Sequence, residues 1–414
     1  RGFDVNLEPL GPATIVAQSE AGRYDRWLSG AAVTAMPDAS FVIAYNEHRS
    51  GAGEDPAEVL TRSFEARNGE LGGVERLTNH LEGSQTLQPA SNARRLAASK
   101  DGALLAAWNG DGGFGDDSAV HLTRVGDEAL FDAPAPAPMT TLALAAPANA
   151  EAPIPPIWQP RREPMPPLPL GPGDGPDFGF NAIDFTGWTP PDPEVAVGPD
   201  HLVTVTNGSI AFFDKSGNNL FQDEIEGPQG FWGQQGATGF VFDPEVLYDP
   251  HSGRFFAMCC ECSSDSRSKY LLAVSDDSNP MGTWFKYRID VTNVDNDIDS
   301  PNMGIDADVV YLSADFFGPD KYQVLMIDKA PLLSGGNITS REIVISGSGN
   351  QSMGLPIIYD NAGGAGYLLQ SSEGTGNGIT FSEVRFHAIT NQLTNPQRVT
   401  VDVALPKYSY PKQS

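Results

Sequence analysis

Aspartates carry most of the chemistry this chain offers. Asp295-Asn-Asp-Ile-Asp299, followed by Asp306 and Asp308, packs five carboxylates into fourteen positions. Carboxylates so crowded repel one another unless water or a cation intervenes. Calcium takes six to eight oxygen ligands, so a bound calcium and a solvated acidic loop both answer. The glycine and terminal glutamate of an EF-hand loop are absent. Two further aspartates open repeated segments, Asp192-Pro-Glu-Val-Ala-Val-Gly-Pro199 and Asp243-Pro-Glu-Val-Leu-Tyr-Asp-Pro250, with a looser copy at Asp299-Ser-Pro301. Repetition puts Asp192, Asp243 and Asp299 at equivalent turns, which in a ring of repeats gather round one mouth of the axis. Converging carboxyl groups must gain protons or hold a cation. The expected metal ligands are therefore Asp192, Asp243, Asp295, Asp297, Asp299 and Asp306. Calcium is preferred to zinc because the donors are oxygens. The alternative is that each aspartate caps its own Asp-Pro turn.

The other chemistry-bearing residues point to structure. Cys259, Cys260 and Cys262 follow one another along an expected strand, where 260 and 262 face one way and 259 the other. That suits buried thiols or one local disulfide better than a four-ligand metal. The six histidines form no His-Glu-x-x-His or i, i+2 pair. His201 and His251 each follow a turn and read as packing residues. No phosphate loop, dinucleotide fingerprint or Gly-x-Ser-x-Gly elbow occurs, and no catalytic or cofactor-binding residue is assigned. Asn207-Gly-Ser209, Asn337-Ile-Thr339 and Asn350-Gln-Ser352 match glycan acceptors, a pattern frequent by chance.

Short strands at regular spacing must position these groups. Pro193, Pro244, Pro301 and Pro356 recur at steps of 51, 57 and 55 residues. Each is followed by alternating or apolar runs: His201–Thr206, Arg254–Met258, Val309–Ser313 and Gly366–Gln370. Several short strands per unit of about 50 residues is the pattern of a propeller blade. In the first half, the segments 32–45 and 95–108 read as hairpins closing on Tyr45 and Trp108, with matching outer strands at Thr61-Arg62 and Thr123-Arg124. The expected fold is an all-β propeller of four-stranded antiparallel blades, about six, arranged as two and four. The expected divisions are two N-terminal blades in 1–132, a Pro/Ala/Gly-rich linker in 133–180 and about four blades in 181–414. Ile157, Trp158 and Leu168 would let that linker drape on apolar surface.

Composition narrows the class. The net charge is −27, spread along the chain, which argues against nucleic acid and anionic lipid, whose binders need a basic face. The 44 glycines and 34 prolines exceed the roughly 7% and 5% of average usage, as a turn-rich β protein requires. No apolar run reaches the ~18 residues of a membrane helix. The chain begins at Arg1, and a removed upstream segment such as a signal peptide is expected.

From Pro190 to about Tyr410 the chain resembles exported bacterial proteins with sialidase-like propeller repeats. The matching pieces are Pro190-Pro-Asp192, Gly198-Pro-Asp-His-Leu-Val203, Phe242-Asp-Pro244, Arg254-Phe-Phe256 and Leu271-Leu-Ala-Val-Ser275. The first half resembles another exported repeat through Met36–Tyr45 and Phe64–Gly69. Ser275-Asp-Asp-Ser-Asn-Pro-Met-Gly-Thr-Trp284 is similar to the Asp-box, a hairpin staple in which a carboxylate holds a turn and a tryptophan packs between strands. The arginines after residue 180 (254, 267, 288, 341, 385, 398) sit in no sialidase-like context. In such relatives the chain runs on past a Tyr-Ser-Tyr-Pro segment, here Tyr408–Pro411; later blades are missing, or the N-terminal pair replaces them. The resemblance implies a non-catalytic, secreted, extracellular or cell-surface module, with the periplasm as alternative compartment. It would serve interaction or assembly, with a protein partner, its own copies or a glycan, and calcium as a structural ion. The alternative is a propeller glycoside hydrolase or polysaccharide lyase using channel-mouth carboxylates. The segment Gly227-Pro-Gln-Gly-Phe-Trp-Gly-Gln-Gln-Gly236 is the expected aromatic contact loop.

Overall fold

The computed structural model describes residues 26–36, 40–49, 57–65, 70–76, 85–86, 96–98, 104–110, 119–125, 179–237, 239–262, 267–316, 321–346, 353–358, 364–372 and 380–409. Alternating and apolar runs become antiparallel meanders. The first sheet holds β1 (Arg26–Ala35), β2 (Ser40–Arg49), β3 (Ala57–Glu65) and β4 (Glu70–Arg76). The third holds β10 (Glu194–Val197), β11 (His201–Thr206), β12 (Ser209–Asp214) and β13 (Asn219–Glu224). The fourth is β14 (Phe240–Asp249), β15 (Arg254–Cys262), β16 (Ser268–Ser275) and β17 (Trp284–Asp290). The fifth is β18 (Ile298–Ile305), β19 (Val309–Phe316), β20 (Lys321–Asp328) and β21 (Ser340–Ser346). The sixth is β22 (Met353–Gly354), β23 (Ala365–Ser372), β24 (Thr380–Thr390) and β25 (Gln397–Ser409).

These five are four-stranded blades, where the sequence suggested about six. The second sheet departs from the pattern. It has five strands: β5 (Gln85–Thr86) and β6 (Leu96–Ala98) both pair with β7 (Leu104–Gly110), followed by β8 (Ala119–Val125) and β9 (Gly179–Ile183). The segment 133–178, with Ile157, Trp158 and Leu168, lies outside the described residues. Its far end returns as β9 against β8, so a strand spanning the expected 180/181 boundary completes a sheet of the N-terminal half.

The first strands of successive sheets lie side by side. β6 neighbours both β1 and β10, β10 neighbours β14, and β14 neighbours β18. Ile357 bridges Ile305 at the end of β18, bringing the sixth sheet into line. This inner-strand succession makes a β-propeller, one continuous arc through both halves. Helix among the described residues is limited to the four-residue α1 (Lys329–Leu332) and a 3-10 turn at Gly233–Gln235. No helix of the described residues is long and apolar enough to cross a membrane.

The core lies between sheets. Trp284 is fully buried between Phe212, at 5.9 Å, and Phe231, at 5.5 Å. The hairpin bearing it is held as a staple: Asp276 Oδ1 accepts Thr283 N–H at 3.0 Å and Trp284 Nε1 donates to Pro280 O at 2.8 Å. The expected contact loop turns inward instead. Phe231 and Trp232 are buried because apolar rings gain more between sheets than in water. Trp232 Nε1 donates to Cys259 Sγ at 3.1 Å.

Candidate functional site

Strand direction defines an upper face, where the first strand of each blade starts. Asp192, Asp243 and Ser300 all have left-handed backbones there, with φ of 46°, 50° and 46°. Each precedes a proline, which drives its neighbour out of the right-handed helical region, and aspartate tolerates the left-handed one better than most residues. Strand pairing is interrupted at the same places in β14 and β18, between Phe242 and Glu245 and between Asp299 and Asn302. Bulges of this kind re-aim side chains. Ser300, rather than Asp299, is therefore the equivalent of Asp192 and Asp243; the third copy carries its aspartate one residue early.

Asp192, Asp243 and Asp299 nevertheless meet. Burial pushes the Asp243 carboxyl up to about 8, helped by the charges of Asp299 and Asp192 and by a hydrogen bond shared with Asp299; the Ser300 N–H opposes it. Asn207 ties the group together. Its Nδ2 donates to Asp192 Oδ2 at 2.7 Å and to Pro190 O at 3.0 Å, and its Oδ1 accepts the Asp243 N–H at 2.8 Å. Only 3% exposed, Asn207 is a structural hub and no glycan acceptor. Sequence reasoning passed it over, although Asn-Gly at a hairpin tip is a strong turn signal.

Of the remaining expected ligands, Asp306 lies apart from this group. Asp306 follows the end of β18, on the opposite face, where it accepts N–H bonds from Asp308 and Val309 and the Tyr311 hydroxyl. Eight strand residues at about 3.3 Å each separate it from the upper face. Asp297 is exposed, and Asp295 accepts the N–H of Asn296. Among the described residues no group of three His, Cys, Asp or Glu side chains is placed to hold a metal ion.

Beside the aspartates the upper face opens into a cleft of about 330 Å³. Its walls carry Asp184, Phe185, Trp188, Asp223, Glu224 and Glu226. The Trp188 ring lies 5.0 Å from that of Phe240, which is 53% exposed. Gly208, with φ of 92°, forms the floor; a Cβ there would come within 3.0 Å of Thr186 and Trp188. Burial raises the Glu226 carboxyl, the Val241 N–H opposes that, and the Glu224 charge adds to it. Sequence reasoning missed this cleft because its residues come from three separate turns.

The cysteines are free thiols; Cys259 and Cys260 are buried and Cys262 partly so. Of the two histidines singled out, His201 is half-buried, which lowers its pKa, and His251 Nε2 lies 2.7 Å from Ile358 O. Three of the arginines after residue 180 are held separately: Arg254 on Leu333 O at 2.6 Å, Arg267 on Asp290 at 2.7 Å and Arg288 on Glu261 at 2.6 and 2.8 Å.

No family model and no curated protein matches this chain. Among solved structures it is similar to the β-propeller domain of the Trilobed protease from Pyrococcus furiosus, at 10% identity over 92% of this chain and 95% of that one, with a TM-score of 0.40. It is similar to the NanB sialidase from Streptococcus pneumoniae at 10% identity, covering 97% of this chain but only 65% of the sialidase, with a TM-score of 0.43. The polysaccharide lyase Uly1 is matched at 10% identity over 97% and 94%, with a TM-score of 0.39. Similarity of this order says nothing of activity, and the description of the fold rests on the sheets themselves.

Proposed function

We propose that the chain is an exported or cell-surface β-propeller that binds a partner through its upper face and performs no catalysis. The observation that carries this is how the polar groups there are used. Asn207 links Asp192 and Asp243, and Asp243 receives the next blade's N–H, so these carboxylates join blades. A sialidase needs an arginine trio on its substrate's carboxylate; the arginines described above are committed one by one to carbonyls and acidic side chains. The cleft beside the aspartates is open, aromatic and acidic, as suits recognition. Calcium beside Asp192, Asp243 and Asp299 belongs to the proposal, since shared protons or a cation must relieve their repulsion, although the three carboxylates do not form a ready ligand set. It would need carbonyl or water oxygens to complete its shell.

The test is a panel of chromogenic glycosides and polysaccharides, with and without chelator. Turnover of any member would overturn the non-catalytic reading. A melting temperature indifferent to chelator and to added calcium would remove calcium from it. One observation favours a hydrolase or lyase as second reading: Glu226, raised by burial beside Glu224, has the character of a general acid. Turnover abolished by Glu226→Gln would establish that reading instead.

A further inference from the structure

The cleft beside Trp188 has a chemical preference of its own. Its hydroxyl donors are already spent inside the wall: Thr186 Oγ1 donates to Asn207 O at 2.6 Å and Ser209 Oγ to Asp223 O at 3.1 Å. Gln222 Nε2 donates to Ser209 Oγ at 3.4 Å. The polar lining is therefore dominated by carboxylate residues, Asp184, Asp223, Glu224 and Glu226, beside Phe185 and Trp188. Among the described residues no lysine, arginine or histidine lines it. Glu226 is partly exposed at the cleft wall; its Oε1 atom is covered, and the Val241 N–H acts on the same carboxyl.

Aromatic faces attract cations through their quadrupoles, best when the cation leaves water. Carboxylates beside them add charge complementarity, and a chain at −27 draws cations toward its clefts. The same field repels sialic acid, uronates and other anionic sugars. A neutral sugar needs donors as well as acceptors, and this wall has committed most of its donors. We propose that the cleft is a binding site for an organic cation, an ammonium or guanidinium group, seated beside Trp188 and Phe185 and charge-paired to the lining carboxylates, Glu226 among them. The site rests on the partner-binding reading above and names the chemistry its partner must present. Two sources supply that chemistry, a free small amine and a lysine or arginine side chain of a protein.

The experiment is calorimetric titration of the full chain at low and moderate salt. The probes are choline, its neutral isostere 3,3-dimethylbutan-1-ol, and lysine- and arginine-containing peptides beside their norleucine counterparts. Cationic probes should bind about tenfold more tightly than their neutral matches, and salt should weaken them. Trp188→Ala and Phe185→Ala should each weaken binding about fivefold or more. Glu226→Gln, isosteric and without charge, should do the same while the melting temperature stays that of the parent chain. Peptides binding more tightly than choline would assign the site to a protein side chain; equal affinity would assign it to a free amine. Equal binding of charged and neutral probes, no binding of any probe, or affinities untouched by all three substitutions would overturn the proposal. Glycoside turnover would strike the non-catalytic reading alone and leave these affinities to stand or fall separately.

Discussion

The backbone N–H of Ser300 donates to Asp243 Oδ2 at 3.2 Å, across the junction between the fourth and fifth blades. The bond joins two turns that proline and a left-handed residue shape alike, and it is one link in a chain from Asn207 through Asp243 to the next blade.

That placement makes stability depend on pH. The Asp243 carboxyl, ordinarily near 3.8, is raised to about 8 in the folded protein. Folding therefore takes up a proton between those values. The group's contribution is fully present below the unfolded value and is lost as pH rises through the folded one. In chelator, the melting temperature should fall as pH goes from about 5 to about 8. Asp243→Asn, a neutral mimic, should flatten that fall and match the parent chain at the acid end. An unchanged slope in the variant would show that Asp243 is not the group titrating.

Glu245 is 4% exposed, and its Oε2 accepts the Met303 N–H from the fifth blade. Glu245→Ala removes a charged acceptor from a buried donor, at an expected cost of about 2 kcal/mol. Glu245→Gln keeps an acceptor and should lose about half as much. Denaturant midpoints of the three proteins would measure the order.

On the opposite face, Lys329 Nζ lies 3.0 Å from Asp249 Oδ2, with side chains 3% and 0% exposed. Breaking one side of such a pair is expensive because the other charge stays buried. Lys329→Met should cost about 3–5 kcal/mol. Asp249→Asn in the same chain should restore part of the loss, since Lys329 also donates to Asp306 O. A double variant less stable than Lys329→Met would contradict this account.

Thiol reactivity should follow burial. Cys259 and Cys260 are buried and their thiols pushed up by desolvation, while Cys262 is only partly covered and shifted in the same direction. At pH 8 a thiol reagent should label Cys262 slowly in the native protein and the other two only after unfolding. Rapid labelling of Cys259 would mean that the Trp232 contact opens in solution.

The blade pattern was legible in the residues. Proline steps from Pro193 to Pro356 and the hairpins closing on Tyr45 and Trp108 mark strands and turns, because backbone dihedrals and side-chain alternation are set by near neighbours. Repetition matched the turns of Asp192 and Asp243, but Asp299 reaches Asp243 from one residue before the matching position, which Ser300 holds. The packing of blades was not legible. Whether Phe231 and Trp232 face a partner or Trp284, whether β9 returns to β8, and whether Asp299 or Ser300 holds the third turn were decided in three dimensions. Asp306 is close in sequence to Asp299 but lies beyond the far end of β18, which carries the chain from one face to the other. The Trp188 cleft, the Asn207 hub and the Lys329–Asp249 pair join residues from separate turns. Such contacts arise only when sheets pack, since burial and charge pairing depend on what another part of the chain brings alongside.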